Sequence, residues 1–166
     1  MSCRRITEAA DAAPGTRPEI RHAAVLYPRD MSHPADCPFC TLPAARVVVR
    51  DAWAMVVRDA FPVSPGHTLV IPLRHVGSFF DTTATERQAL LEFLDDAKQQ
   101  LDAEFSPAGY NIGINDGADA GQTVGHLHIH LIPRYTGDQA DPRGGVRWVI
   151  PEKADYWSAR GTQPQP

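Results

Sequence analysis

Three cysteines in 166 residues are too few, and too odd in number, for a disulfide framework, so a domain of this length must fold on its own apolar core. Long apolar runs are also missing. The basic opening "MSCRR" has the look of a signal start, but "ITEAADAAPG" follows at once. Neither a signal peptide nor a membrane span is therefore expected, and the expected location is the cytoplasm. Charge of one sign is nowhere concentrated: 16 Lys and Arg stand among 20 Asp and Glu, for a net charge of -4. Without a basic stripe the chain is not expected to bind a nucleic-acid polymer, and any polyanion it takes should be small. No internal repeat is present.

What is there divides into three parts. Residues 1–35, rich in Ala, Arg and Pro without a sustained period, read as a partly disordered or surface-wrapping extension that carries Cys3, His22 and His33. Residues 36–150 form the expected catalytic domain, and 151–166 a Pro/Gln-rich tail. Within the domain, "ARVVVRD" and "AWAMVVRD" predict a hairpin turning near Asp51, although the turn chemistry there is weak, and "HTLVIPL" predicts a buried strand ending at Pro72. Thr83-Ala-Thr-Glu86 has the form of a capping box. Leu90, Leu94, Ala97, Leu101 and Phe105 follow at helical spacing, which predicts one long helix over 83–105 that packs the back of a sheet. "GYNIGIND" and "HLHIHLIP" are the next strands and "VRWVI" a last short one. Strands, one helix, then more strands argue an antiparallel α+β domain.

The chemistry concentrates in "GQTVGHLHIHLIPRY", Gly121 to Tyr135, where three of the seven histidines occupy every second position. On a strand His126, His128 and His130 share one face while Leu127, Ile129 and Leu131 point to the other, into the core. Successive rings stand about 6.8 Å apart along the strand, enough to line one elongated site. The preceding loop, with glycines at 117, 121 and 125, offers free backbone N–H groups to an anion. Two readings of such a face compete: histidines at i and i+2 as metal ligands, or a nucleophilic imidazole. Cys37-Pro-Phe-Cys40 adds half of a zinc site or a redox pair. Pro43, three residues on, stands against the helix start that a redox pair prefers.

"GQTVGHLHIHLIPR" resembles the signature of the histidine triad (HIT) family, His-φ-His-φ-His-φ-φ with φ hydrophobic. "DAFPVSPGHTLVIPLRH", Asp59 to His75, is similar to the family's upstream half, and "NIGINDG" to its strand before the signature. The resemblance runs from about Cys37 to Tyr135. It implies a five-stranded, or slightly larger, antiparallel sheet with one long helix and short helices, in a homodimer. It also implies a hydrolase that cleaves a nucleotide conjugate of adenosine or guanosine at the α-phosphate, through a nucleotidyl-histidine intermediate. His130, where the family's transferase branch has Gln, favours hydrolysis. A nucleotide-binding regulatory protein and a phosphorylase are the alternatives.

By the same resemblance His128 is the nucleophile and His130 a donor to phosphate oxygen. Gln122 and Thr123 contact the phosphate and leaving group, Asn115 contacts the phosphate, Asp59 accepts from the ribose hydroxyls, and His67 lies beside the α-phosphate. Phe61, with Val63 and Ile71, is expected along the slot for the base. A subset of the family holds a structural Zn2+ at positions that correspond here to Cys37, Cys40, His75 and His126, which takes only the first triad histidine and leaves His128 free. Similar C-terminal segments reach substrate, so Arg143, Arg147 and Trp148 are candidates there.

Overall fold

The protein is described as a computed structural model over residues 34–158. The extension with Cys3, His22 and His33, and the end of the tail, lie outside the described residues. Five strands, β1 (Val47–Arg50), β2 (Ala54–Arg58), β3 (Thr68–Pro72), β4 (Gly109–Gly113) and β5 (Ile129–Arg134), form one sheet in the order β1-β2-β3-β5-β4. Every pairing is antiparallel. One long helix, α1 (Ala84–Phe105), and a single-turn helix, α2 (Pro151–Ala154), complete the set with four 3-10 turns. This is the α+β architecture the sequence predicts.

The β1–β2 turn looked weak in sequence because its device is a side chain: Asp51 Oδ1 accepts from the N–H groups of Trp53 at 2.6 Å and Ala54 at 2.8 Å. The other strand-bearing turn needs a glycine. Gly66 sits at φ +80, and a Cβ there would lie 2.8 Å from Leu101 Cδ2. Both the backbone and the helix behind it therefore exclude a side chain, and His67 follows directly.

Alternation in β2, β3 and β5 sorts the core into two layers. Ala54, Val56, Val70, Ile129 and Leu131, with Leu127, meet Ala89, Leu90, Phe93, Ala97 and Leu101 of α1. Met55, Val57, Leu69 and Ile71 face the other way and are covered by Phe39 and Leu42 from the Cys-x-x-Cys loop. Thr83 and Glu86 form the expected capping box. Buried Glu86 also takes two hydrogen bonds from Arg74, at 2.8 and 2.9 Å, which ties the residue before His75 to the start of α1. The helix ends where Ser106 turns left-handed at φ 48, just before Pro107.

Two expectations are corrected. The ladder of β5 begins at Ile129, so His126 and His128 lie on the approach to it: Leu127 N–H donates instead to the Val76 carbonyl at 2.7 Å. "VRWVI" is not a strand but a 3-10 turn, Gly145–Val149. Gly144 and Gly145, at φ 87 and 46, bend the chain away from the extended course a strand needs. Trp148 is accordingly 48% exposed.

Candidate active site and metal centre

Leu69 pairs with His130 and Gly113 pairs with His130 from the other side. The triad rings thus stand on the sheet face opposite α1, in continuity with Met55, Val57, Leu69 and Ile71. His126 and His128 are buried and His130 is half-buried. Each ring has its second nitrogen engaged differently. His126 donates from Nε2 to the Pro72 carbonyl at 2.9 Å, which turns Nδ1 toward two sulfurs. His128 donates from Nδ1 to the His126 carbonyl at 2.8 Å, leaving Nε2 with its lone pair. His130 Nδ1 meets His67 Nε2 at 3.0 Å.

The tautomers of this last pair follow from the backbone. His67 Nδ1 has the Val63 N–H at 3.4 Å and Asp59 Oδ2 at 3.4 Å, and can serve one of them. A neutral ring with its proton on Nε2 accepts from the amide, whereas a ring with a proton on Nδ1, neutral or charged, donates to the carboxylate. Burial, only partly offset by Asp59, lowers the His67 pKa, so the neutral ring rests there. In the neutral tautomer that accepts from the amide, the proton is on Nε2 and donates to His130 Nδ1, which puts the His130 proton on Nε2, where a ligand can accept it. Burial, reinforced by the neighbouring His128 and His67, pushes the His130 pKa down to about 4, so it too is neutral at pH 7.

The remaining predicted residues gather around this face to different degrees. Asp59 Oδ1 caps its own turn by accepting from Phe61 N–H at 2.8 Å. Gln122 is tied at both ends: it accepts from Gly117 N–H at 2.9 Å and donates to the Gly77 carbonyl at 2.8 Å, clamping the glycine loop to the segment after His75. Thr123 is exposed on that loop, and Asn115 is half-buried where the chain leaves β4; neither is hydrogen-bonded to His128 or His130. Ile71 belongs to the apolar layer beside the triad, whereas Phe61 is 86% exposed and has no part in it. Missing from the sequence reading was Phe39, whose ring stands edge-on to His128 with centroids 5.2 Å apart. Asp116 was missed as well: its carboxylate accepts from Ser78 Oγ and Phe79 N–H and holds the loop after β4 against the chain after His75. Adjacency to Asn115 was the one hint.

Cys37, Cys40, His75 and His126 bring one ligand atom each to within 4.8 Å of one another. Cys37 and Cys40 Sγ both lie 3.5 Å from His126 Nδ1, and Cys40 Sγ lies 3.4 Å from His75 Nδ1. Tetrahedral zinc with sulfur at about 2.3 Å and nitrogen at about 2.0 Å sets S and N about 3.5 Å apart, which these three distances match. The donor set fits as well. Burial and the neighbouring Cys37 push the Cys40 thiol up to about 11, a crowding of sulfurs that a cation relieves. The Nε2–H bond from His126 to the Pro72 carbonyl orients that ring as metal-binding histidines require. The cluster can hold a metal ion.

A family model described as "HIT domain" matches residues 43–137. Among curated proteins, "Bis(5'-nucleosyl)-tetraphosphatase [asymmetrical]" of Schizosaccharomyces pombe is 47% identical over 77 residues, covering 46% of this chain and 42% of that protein. "AP-4-A phosphorylase" of Mycobacterium tuberculosis is 34% identical over 117 residues, covering 67% of this chain and 60% of that protein. The chain thus matches less than two thirds of the length of either relative. Among solved structures, a zinc-bound histidine triad family protein from Mycobacterium smegmatis superposes with a TM-score of 0.58 at 32% identity, over 64% of this chain and 80% of that one.

Proposed function

The chain belongs to the HIT domain family, and from that premise we propose that it is a nucleotidyl hydrolase acting on dinucleoside polyphosphates or related nucleotide conjugates, with His128 as nucleophile. The observation that carries the reading is the hydrogen bond from His128 Nδ1 to the His126 carbonyl, which leaves the Nε2 lone pair free at the centre of the face. An imidazole held as the neutral Nδ1–H tautomer is a nucleophile at pH 7 without a separate base.

In the first displacement Nε2 bonds to the α-phosphorus, the bond from phosphorus to the bridging oxygen breaks, and the leaving group departs with that electron pair. His130, with its proton on Nε2, donates to a non-bridging oxygen as charge builds. Water then attacks phosphorus, the phosphorus–nitrogen bond breaks back to the ring, and the water's proton is released. One water is consumed, and the products are a nucleoside monophosphate and the leaving group. Asp59 serves the ribose, while Asn115, Thr123 and the glycine loop serve the phosphate. Zinc on Cys37, Cys40, His75 and His126 would stabilise the fold and take no part in turnover, because its four ligands leave no open position.

Rapid acid-free quenching with a nucleotide labelled at the α-phosphorus should leave label on His128, and His128→Asn should lower kcat by several orders of magnitude while nucleotide binding persists. Label on His130, or near wild-type turnover in His128→Asn, would refute the assignment. The mycobacterial relative favours a second reading, in which inorganic phosphate replaces water as acceptor. A nucleoside diphosphate appearing only when phosphate is supplied would establish it.

A further inference from the structure

Asp59, Val63 and His67 belong to one loop between β2 and β3, closed at its neck by the bond from Asp59 N–H to the His67 carbonyl at 3.0 Å. Ser64 Oγ pins it to β5, donating to the Pro133 carbonyl at 2.7 Å. Within this fixed loop two groups compete for one atom. His67 Nδ1 has the Val63 N–H and the Asp59 carboxylate each at 3.4 Å, and with His67 only 4% exposed, solvent offers no third choice.

The outcome of that competition is passed on. His67 Nε2 lies 3.0 Å from His130 Nδ1, and one proton occupies the contact. Where it belongs to His67, the His130 ring carries its own proton on Nε2; where it belongs to His130, Nε2 is a bare lone pair. Both arrangements are neutral, in keeping with burial that holds both rings below the ordinary histidine value.

We propose that filling the ribose position switches His130 between these two states, so that the sugar prepares the donor that the phosphate uses. The inference rests on the reading that Asp59 takes the ribose and His130 serves the phosphate. With the site empty, Asp59 prevails: both partners stand at the same distance from Nδ1, and a hydrogen bond to a carboxylate is roughly twice as strong as one between neutral groups. His67 then carries its proton on Nδ1 and accepts from His130, whose Nε2 lone pair would repel a phosphate oxygen. Asp59 Oδ1 is already engaged by Phe61 N–H, so Oδ2 is the oxygen that ring and sugar contest. A ribose hydroxyl can approach it to about 2.5–2.7 Å, far closer than the ring does. Nδ1 is thereby released to the Val63 N–H.

The change moves the shared proton from His130 Nδ1 to His67 Nε2, returns the His67 Nδ1 proton to water and takes one from water at His130 Nε2. No net charge is created, which suits a buried pair. His67 is thus a positioning residue, and recognition of the sugar becomes rate as well as affinity.

Heteronuclear NMR of nitrogen-labelled histidine in the full chain carrying His128→Asn reads the state of each ring nitrogen without turnover. Saturating adenosine, which brings ribose without phosphate, should convert His130 Nε2 from a bare to a protonated nitrogen, and 2′,3′-dideoxyadenosine should leave it bare. Asp59→Asn, added to that chain, can still cap Phe61 through its carbonyl while its amide N–H serves His67 Nδ1, so His130 Nε2 should be protonated with no ligand present. A His130 tautomer that is the same with and without adenosine, or that dideoxyadenosine changes as fully, overturns the proposal. Kinetics give a second readout in the chain with His128 intact. Single-turnover nucleotidylation at saturating substrate should fall roughly tenfold on a 2′,3′-dideoxy substrate, a part of the cost of one lost oxyanion donor, and the two sugars should react alike at saturation in Asp59→Asn. A sugar effect confined to KM would show a binding contact only and would overturn the switch. Because the tautomer is read without any transfer, it decides this proposal whether or not label is found on His128.

Discussion

Removal of the metal by chelation, or of one ligand by Cys40→Ser, should cost the domain stability in an amount that can be worked from the loop the metal holds. Hydrogen bonds within Cys37–Thr41 are local: Thr41 N–H and Oγ1 both donate to the Cys37 carbonyl. What fastens the loop to the sheet is the convergence of its two sulfurs on His75 and His126, together with Phe39 and Leu42 lying on Met55, Val57, Leu69 and Ile71. Full burial of a Phe or Leu side chain is worth about 1.5–3 kcal/mol. Both are half-buried, so releasing them forfeits about 1.5–3 kcal/mol for the pair. For a domain of this size that is a fall in Tm of about 10 °C. Elemental analysis of protein purified without chelator should give about one zinc per chain, and thermal unfolding followed by circular dichroism should show the shift on adding EDTA. A Tm that stays put after the metal has been stripped, or a full equivalent of zinc and full stability in Cys40→Ser, would refute the structural role.

Three further outcomes follow from the geometry. Stability should fall as pH drops from the ordinary histidine value of 6.5 toward 4, because His67 and His130 have lowered pKa values and the unfolded chain takes up protons that the folded one refuses. Glu86, held at about 2 chiefly by Arg74, adds a second loss below its ordinary 4.5; urea midpoints that stay flat from pH 7 to 4 would contradict both. A 2′-deoxy substrate should lose roughly ten- to a hundredfold in kcat/KM, the worth of one charge-assisted hydrogen bond to Asp59, and equal rates on both sugars would remove Asp59 from the ribose site. The chain should sediment as a dimer: among the described residues β4 pairs with β5 alone, and Ile112 on it is 49% exposed; a monomer near 18 kDa at micromolar concentration would count against that.

How far the sequence could be read depended on whether local pattern or distant contact set each feature. The helix was legible end to end because its signals are local: a capping box at Thr83–Glu86, apolar residues at helical spacing, and a proline after its last turn. The histidine face was legible because alternation alone decides it. "VRWVI" misled because branched and aromatic residues suggest a strand, while the two glycines ahead of it bend the chain and the segment finds no sheet edge. The electrostatic state of His130 was out of reach altogether. It depends on His67, 63 residues away in sequence, and on how deeply both rings are buried.

That dependence would give three identical side chains at equal spacing the different tasks of the proposed reaction. An imidazole has two nitrogens, and the partner given to one decides what the other can do. Pro72 holds His126 by Nε2, so Nδ1 meets the sulfurs and the ring becomes a ligand. The His126 carbonyl holds His128 by Nδ1, so Nε2 keeps its lone pair, the one that the proposed reaction directs at phosphorus. Where His67 donates to His130 at Nδ1, Nε2 would carry the proton that the proposed reaction offers to phosphate oxygen. In the proposed reaction, ligand, nucleophile and donor would thus be set from behind the rings, by a proline carbonyl, a main-chain carbonyl and a fourth histidine. Any substitution that moves the 72–76 segment should therefore disturb the metal ligand first, and the nucleophile only through the carbonyl they share.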